Sequence, residues 1–190
     1  WHSACGLTSN HRAFCWGDNY NGALGVGSLE RPISSPREVV LPNGELIADI
    51  SEADSNGCAL STIGHVFCWG EHGLGNGVVM TSSSPIAIAA PQGVTFTQVS
   101  SGAYISCAVA ATSGDLWCWG DALYLGINAT PYDSNPLPVK PIVPAGTYFT
   151  KAISGGGTMC AIDTSAHAWC WGDNSVGQAG VGYFGNSTNY

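Results

Sequence analysis

Four times along this chain a cysteine pair closes on the same tripeptide, Cys-Trp-Gly. The pairs are Cys5 and Cys15, Cys58 and Cys68, Cys107 and Cys118, and Cys160 and Cys170, and they use all 8 cysteines. The second cysteine recurs after 53, 50 and 52 residues. A period near fifty marks a repeat array in which each period is one supersecondary unit. A pair in every period gives every unit its own staple.

The residues between each pair form an apolar stretch, a polar or glycine-bearing centre and a second apolar or aromatic stretch, which is the pattern of a hairpin. With the turn of the second copy centred on Ile63, Leu60 faces Val66, Ala59 faces Phe67 and Cys58 faces Cys68. Opposed residues in an antiparallel pair lie about 4.5–5.5 Å apart at Cα, a span a disulfide bridges. The third copy holds one residue more, which predicts a bulge or a longer loop near Ser113-Gly114. Zinc is disfavoured, because there is no Cys-x-x-Cys and no clustered histidine. Disulfides persist in oxidising compartments, so an extracellular or cell-surface protein is expected.

A net charge of −8 with only 5 Lys and Arg disfavours nucleic acid and anionic membranes as partners. No apolar run approaches the roughly 20 residues of a membrane helix. The 45% hydrophobic share argues against disorder. Units are expected at about 1–45, 46–95, 96–148 and 149–190. Each opens on an alternating segment, such as Phe96 to Ser100, then passes through the cysteine hairpin to a glycine-rich loop. A proline-bearing stretch then leads to an apolar strand at Pro36 to Val40, Pro85 to Ala89 or Pro138 to Val143. About four short strands per period, and no helical period, make the chain all-β.

The string from Cys58 to Gly77, with Gly172 to Gln178 in the last copy, resembles the repeat of the regulator-of-chromosome-condensation family. The resemblance covers nearly the whole chain. It implies a β-propeller with four-stranded blades. The cysteine-paired, Cys-Trp-Gly form is similar to the secreted or cell-surface branch, which includes plant receptor ectodomains of the Crinkly type. Full rings in that family usually hold about seven blades, so this chain is expected to be a partial or open propeller of about four, and part of something longer.

The tryptophan after each second cysteine and the aromatic two residues earlier point to one face, opposite the disulfide. They are expected to pack between blades. Aromatics in variable positions, namely Tyr20, Tyr104, Tyr124, Tyr132 and Tyr183, are the candidates for a binding platform. The glycine loops lack the Lys and Ser/Thr of a phosphate cradle. Asp18-Asn19 and Asp173-Asn174 read as turn-capping pairs and not as calcium ligands. His11, His65 and His167 fall near hairpin tips and read as solvated. Sequons at Asn186 and Asn128 predict N-linked glycans.

No catalytic, cofactor or metal set is readable. The expected function is a non-catalytic extracellular structural or adhesive module, a subunit of a surface assembly or filament. Its protein partners are other copies of itself or a continuation of the same chain. The alternative is a recognition domain, a receptor ectodomain or protein inhibitor, that binds through propeller loops.

Overall fold

The computed structural model describes residues 2–78, 81–127 and 134–188. The first blade holds three strands, β1 (Ser3–Leu7), β2 (Ala13–Gly17) and β3 (Ile33–Val39). The second holds β4 (Ile47–Glu52), β5 (Asn56–Ser61), β6 (Val66–Gly70) and β7 (Ser82–Ala87). The third holds β8 (Phe96–Ser101), β9 (Ile105–Ala110), β10 (Leu116–Asp121) and β11 (Ser134–Val139). The fourth holds β12 (Phe149–Gly155), β13 (Thr158–Asp163), β14 (Ala168–Asn174) and β15 (Gly185–Thr188). Each sheet is an antiparallel meander in chain order.

In every blade the paired cysteines sit opposite each other on adjacent strands and are bonded. The register of the second hairpin is Leu60 to Val66, Ala59 to Phe67 and Cys58 to Cys68. In the third hairpin the extra residue enters the loop, which Gly114 N closes on Ala110 O at 3.0 Å, while the β9–β10 ladder stays regular. The outermost strands begin earlier than the sequence suggests. β7 starts at Ser82, ahead of Pro85, and β11 at Ser134, ahead of Pro138. As last strands of their sheets they have a free edge, and a proline there removes no ladder bond.

Consecutive blades stack through their inner strands. β8 packs on β4 and β5, and β12 on β8 and β9. The Gln98 amide acts as a backbone surrogate between β8 and β12: Nε2 donates to Ala152 O at 2.9 Å, and Ala152 N donates to Oε1 at 2.8 Å. Because the second and third blades are covered on both faces, β5 and β9 are buried at all six positions.

The Cys-Trp-Gly signature has two structural causes. Its glycine marks a register shift against the outer strand in each blade. At Gly70 φ is +87°, and a Cβ would overlap the carbonyl of Ser55, to which Glu71 N donates at 3.0 Å. Its tryptophan docks on the glycine loop of the preceding blade. Trp69 lies on Gly25, Trp119 on Gly75 and Trp171 on Gly126, where a Cβ would stand 2.5, 2.8 and 3.0 Å from the indole. Trp69 Nε1 also donates to Ala23 O at 2.8 Å. The three docked indoles are 0–2% exposed.

A candidate protein-interaction face

The residue after each Trp-Gly is a carboxylate: Asp18, Glu71, Asp121 and Asp173. The N–H of each donates to one carbonyl on the strand-entry loop of its blade, those of His2, Ser55, Tyr104 and Gly157, at 2.8–3.0 Å. The repeat therefore sets four carboxylates at equivalent positions on one rim of the array.

Their surroundings differ. Asp18 is paired by Arg31, whose guanidinium also lies 4.9 Å over the ring of Tyr20, and that pairing holds the Asp18 carboxyl below its usual range. Glu71 accepts from Asn21 and lies 3.0 Å from His72 Nε2. Asp121 Oδ1 accepts from Leu123 N at 3.1 Å, and Asp173 Oδ1 from Ser175 N at 2.9 Å.

Between Glu71, Asp121 and Asp173 three aromatic rings meet. Tyr104 and Tyr124 stack with centroids 5.5 Å apart, and His72 meets the edge of Tyr104 at 5.3 Å. Tyr104 is 42% exposed. Gly157 lies against all three side chains: a Cβ there would be in ordinary contact with both tyrosines at 3.6 Å and tight against Asp173 Cβ at 3.2 Å. Burial, and then the negative charges of Asp121 and Asp173, raise the pKa of Tyr124. The arrangement offers aromatic faces beside carboxylates, which suits a cation.

The two ends of the array offer a different chemistry. Trp16 is only half-buried, and a Cβ on Gly180, the counterpart of Gly25, would meet nothing within 4 Å. The fourth-blade cysteines are half-buried, and Ile153 is 49% exposed. One half of the tryptophan dock is thus open at each end.

Of the tyrosines singled out in the sequence, Tyr104 and Tyr124 come together, Tyr20 stands with Arg31, Tyr183 is exposed and Tyr132 lies outside the described residues. Asn128 also lies outside them, and Asn186 falls in β15. Among the described residues no three His, Cys, Asp or Glu form a group able to hold a metal. The hairpin-tip histidines have neighbours of their own. His11 Nδ1 lies 3.1 Å from Ile47 O, and His65 Nδ1 lies 3.0 Å from Glu45. Asn19 and Asn174 are buried and tie their loops internally, Asn19 Nδ2 donating to Ser28 O and Asn174 Nδ2 to Tyr183 O.

His167 belongs to a tip built around Asp163. Oδ1 accepts from the N–H groups of Ser165 and His167 at 2.8 Å, and Oδ2 from Trp169 Nε1 at 2.9 Å. The indole hydrogen bond, followed by the backbone donors, holds its pKa at about 2, against an ordinary 3.8. Because the folded pKa is depressed, the stabilisation is present above the unfolded value and is lost as pH falls towards 2. In Asp163→Asn the amide turns a donor towards the indole N–H. Its melting temperature is expected to lie below wild type at pH 6, with the gap closing between pH 4 and 2. Thermal unfolding across that range checks this.

The regulator of chromosome condensation (RCC1) repeat matches residues 64–109, and a second form of the same repeat matches 1–23 and 96–124. The human probable E3 ubiquitin-protein ligase HERC6 is 31% identical over 179 residues, covering 89% of this chain and 17% of that protein. Human WBSCR16 superposes with a TM-score of 0.83 at 17% identity, over 99% of this chain and 50% of that one. Yeast RCC1 (Prp20), in a structure with Kap60 bound to it, gives 0.78 at 22%, over 98% and 45%. The ectodomain of the Arabidopsis thaliana receptor kinase ACR4 gives 0.55 at 20%, over 93% and 52%. The chain thus spans about half of these propellers and a smaller share of HERC6.

Proposed function

The repeats of this chain belong to the regulator of chromosome condensation family, and on that footing we propose that it is a non-catalytic extracellular interaction module whose end blades join further blades of the same kind. The carrying observation is the tryptophan dock. It is made three times inside the array, and its two halves, Trp16 and the Ala179-Gly180 loop, stand open at opposite ends. A contact of this kind is heterologous, so it closes a ring or propagates. The occupant is a second copy of the chain or further blades of one polypeptide.

Four disulfides favour an oxidising compartment. N-linked glycans at Asn186 and Asn128 belong to the same reading. The net charge of −8 disfavours nucleic acid. Light scattering over a concentration series, with disulfides intact, tests the reading. The mass is expected to rise with concentration in wild type and to stay monomeric in Trp16→Ala. A monomer at every concentration would remove the second copy as occupant.

The Tyr104–Tyr124 cluster favours a second reading, recognition of a protein through the Trp-Gly rim. Yeast RCC1, a propeller of the same fold, has Kap60 bound in its solved structure.

A further inference from the structure

We propose that Tyr104 and Tyr124, with Asp121 and Asp173 beside them, form a receptor for an arginine side chain of a partner protein. The proposal is independent of the end-to-end reading, since the site lies on the Trp-Gly rim and involves neither Trp16 nor Gly180.

The first blade carries the occupied form of the same chemistry. There the carboxylate after Trp-Gly, Asp18, takes a two-point contact from Arg31, with Nη2 to Oδ2 at 2.8 Å. The same guanidinium covers the ring of Tyr20, the tyrosine of that loop, at 4.9 Å. The third blade repeats the elements, with Asp121 after Trp-Gly and Tyr124 on the loop that follows, and the fourth adds Asp173. Among the described residues no Lys or Arg forms an ion pair with them. Of the 5 Lys and Arg, Arg12, Arg31, Arg37 and Lys140 are paired with Glu38, Asp18, Glu30 and Asp115, and Lys151 is exposed on β12. Among the described residues no ion pair reaches Asp121 or Asp173.

The geometry suits a guanidinium better than an ammonium. A guanidinium is planar, weakly hydrated, stacks on aromatic faces and forks onto carboxylates. Tyr104 presents a ring 42% exposed, stacked on Tyr124. Asp121 N is bonded to Tyr104 O at 2.8 Å, which ties the backbone of Asp121 to that of Tyr104, and the Asp121 charge acts on Tyr124. Asp173 N is bonded to Gly157 O at 2.9 Å, and Gly157 is the residue both tyrosines approach. Asp121 and Asp173 each use Oδ1 to cap a backbone N–H, which leaves Oδ2 without a hydrogen bond among the described residues. Burial first, and then the negative charges of Asp121 and Asp173, raise the pKa of Tyr124, so both carboxylates act on this ring.

The test titrates the whole chain with the peptide acetyl-Gly-Arg-Gly-Arg-Gly-amide, its lysine analogue and its citrulline analogue, followed by NMR. The arginine peptide is expected to bind, the lysine peptide more weakly, and the citrulline peptide not at all. Tyr104→Ala should weaken binding about fivefold, the loss of one cation–aromatic contact. Asp121→Asn with Asp173→Asn should weaken it more than about tenfold and remove most of its salt dependence. Both asparagines retain the capping oxygen, and an unchanged unfolding midpoint verifies the fold. Asp18→Asn should leave binding as in wild type. Equal binding of the citrulline peptide, absence of arginine-peptide binding at millimolar concentration, an unaffected double variant, or preference for choline or spermidine would each overturn the assignment.

Discussion

Gly70→Ala is expected to destabilise the chain by more than about 3 kcal/mol, combining a left-handed φ with a Cβ driven into backbone. The glycine lies at φ +87°, between Trp69 and Glu71, where the strand closes on the Ser55 carbonyl. Backbone cannot rotate away as a flexible side chain would, so the second blade has to open. Gly44→Ala is the matched control. Its φ is +71°, yet a Cβ there meets nothing within 4 Å. Only the conformational preference is then lost, about 1 kcal/mol. Urea denaturation of both variants separates overlap from φ preference, and equal losses would contradict the assignment of the Trp-Gly glycine to close approach.

Trp119→Ala is expected to lower stability by about 3–5 kcal/mol, the range for emptying a large aromatic site in a core. The indole is fully buried against Gly75 and Ile88. Its N–H has no hydrogen-bond partner among the described residues, so the loss is one of packing. Trp16→Ala removes the same residue of the same motif at the open end, where the indole is half-buried, and should lose less than about 1.5 kcal/mol. Comparable losses at the two positions would mean that the dock on the preceding blade is not what stabilises Trp119.

The parts of this structure readable in the sequence are the local ones. The pairing of Cys58 with Cys68 follows from nine intervening residues and a turn centred on Ile63, since a hairpin's register is fixed within its own length. The direction of Trp69, opposite the disulfide, follows from strand alternation. The start of β7 at Ser82 was hidden, because Pro85 reads as a strand breaker until the strand is known to lie at an edge. The partner of Trp69 was hidden too. Gly25 belongs to the preceding repeat, and nothing along the chain distinguishes a loop glycine that receives an indole from one that only turns.

The interaction face shows the same division. Tyr104 and Tyr124 stood out as aromatics in variable positions, but their meeting with His72 depends on how three blades stack. One signal of this rim does stand in the sequence: each Trp-Gly is followed by Asp or Glu, four times over. A carboxylate repeated in phase with the array has to line one rim.

The most direct test of the end-to-end dock mixes two variants, each lacking one half. Trp16→Ala keeps the loop at Gly180, and Gly180→Ala keeps Trp16 while placing a methyl group where the indole would sit. Each alone should be monomeric by light scattering. An equimolar mixture should give dimers and nothing larger, because only one competent dock remains per pair, while wild type continues to higher mass. Higher oligomers in the mixture, or association of either variant alone, would contradict the account.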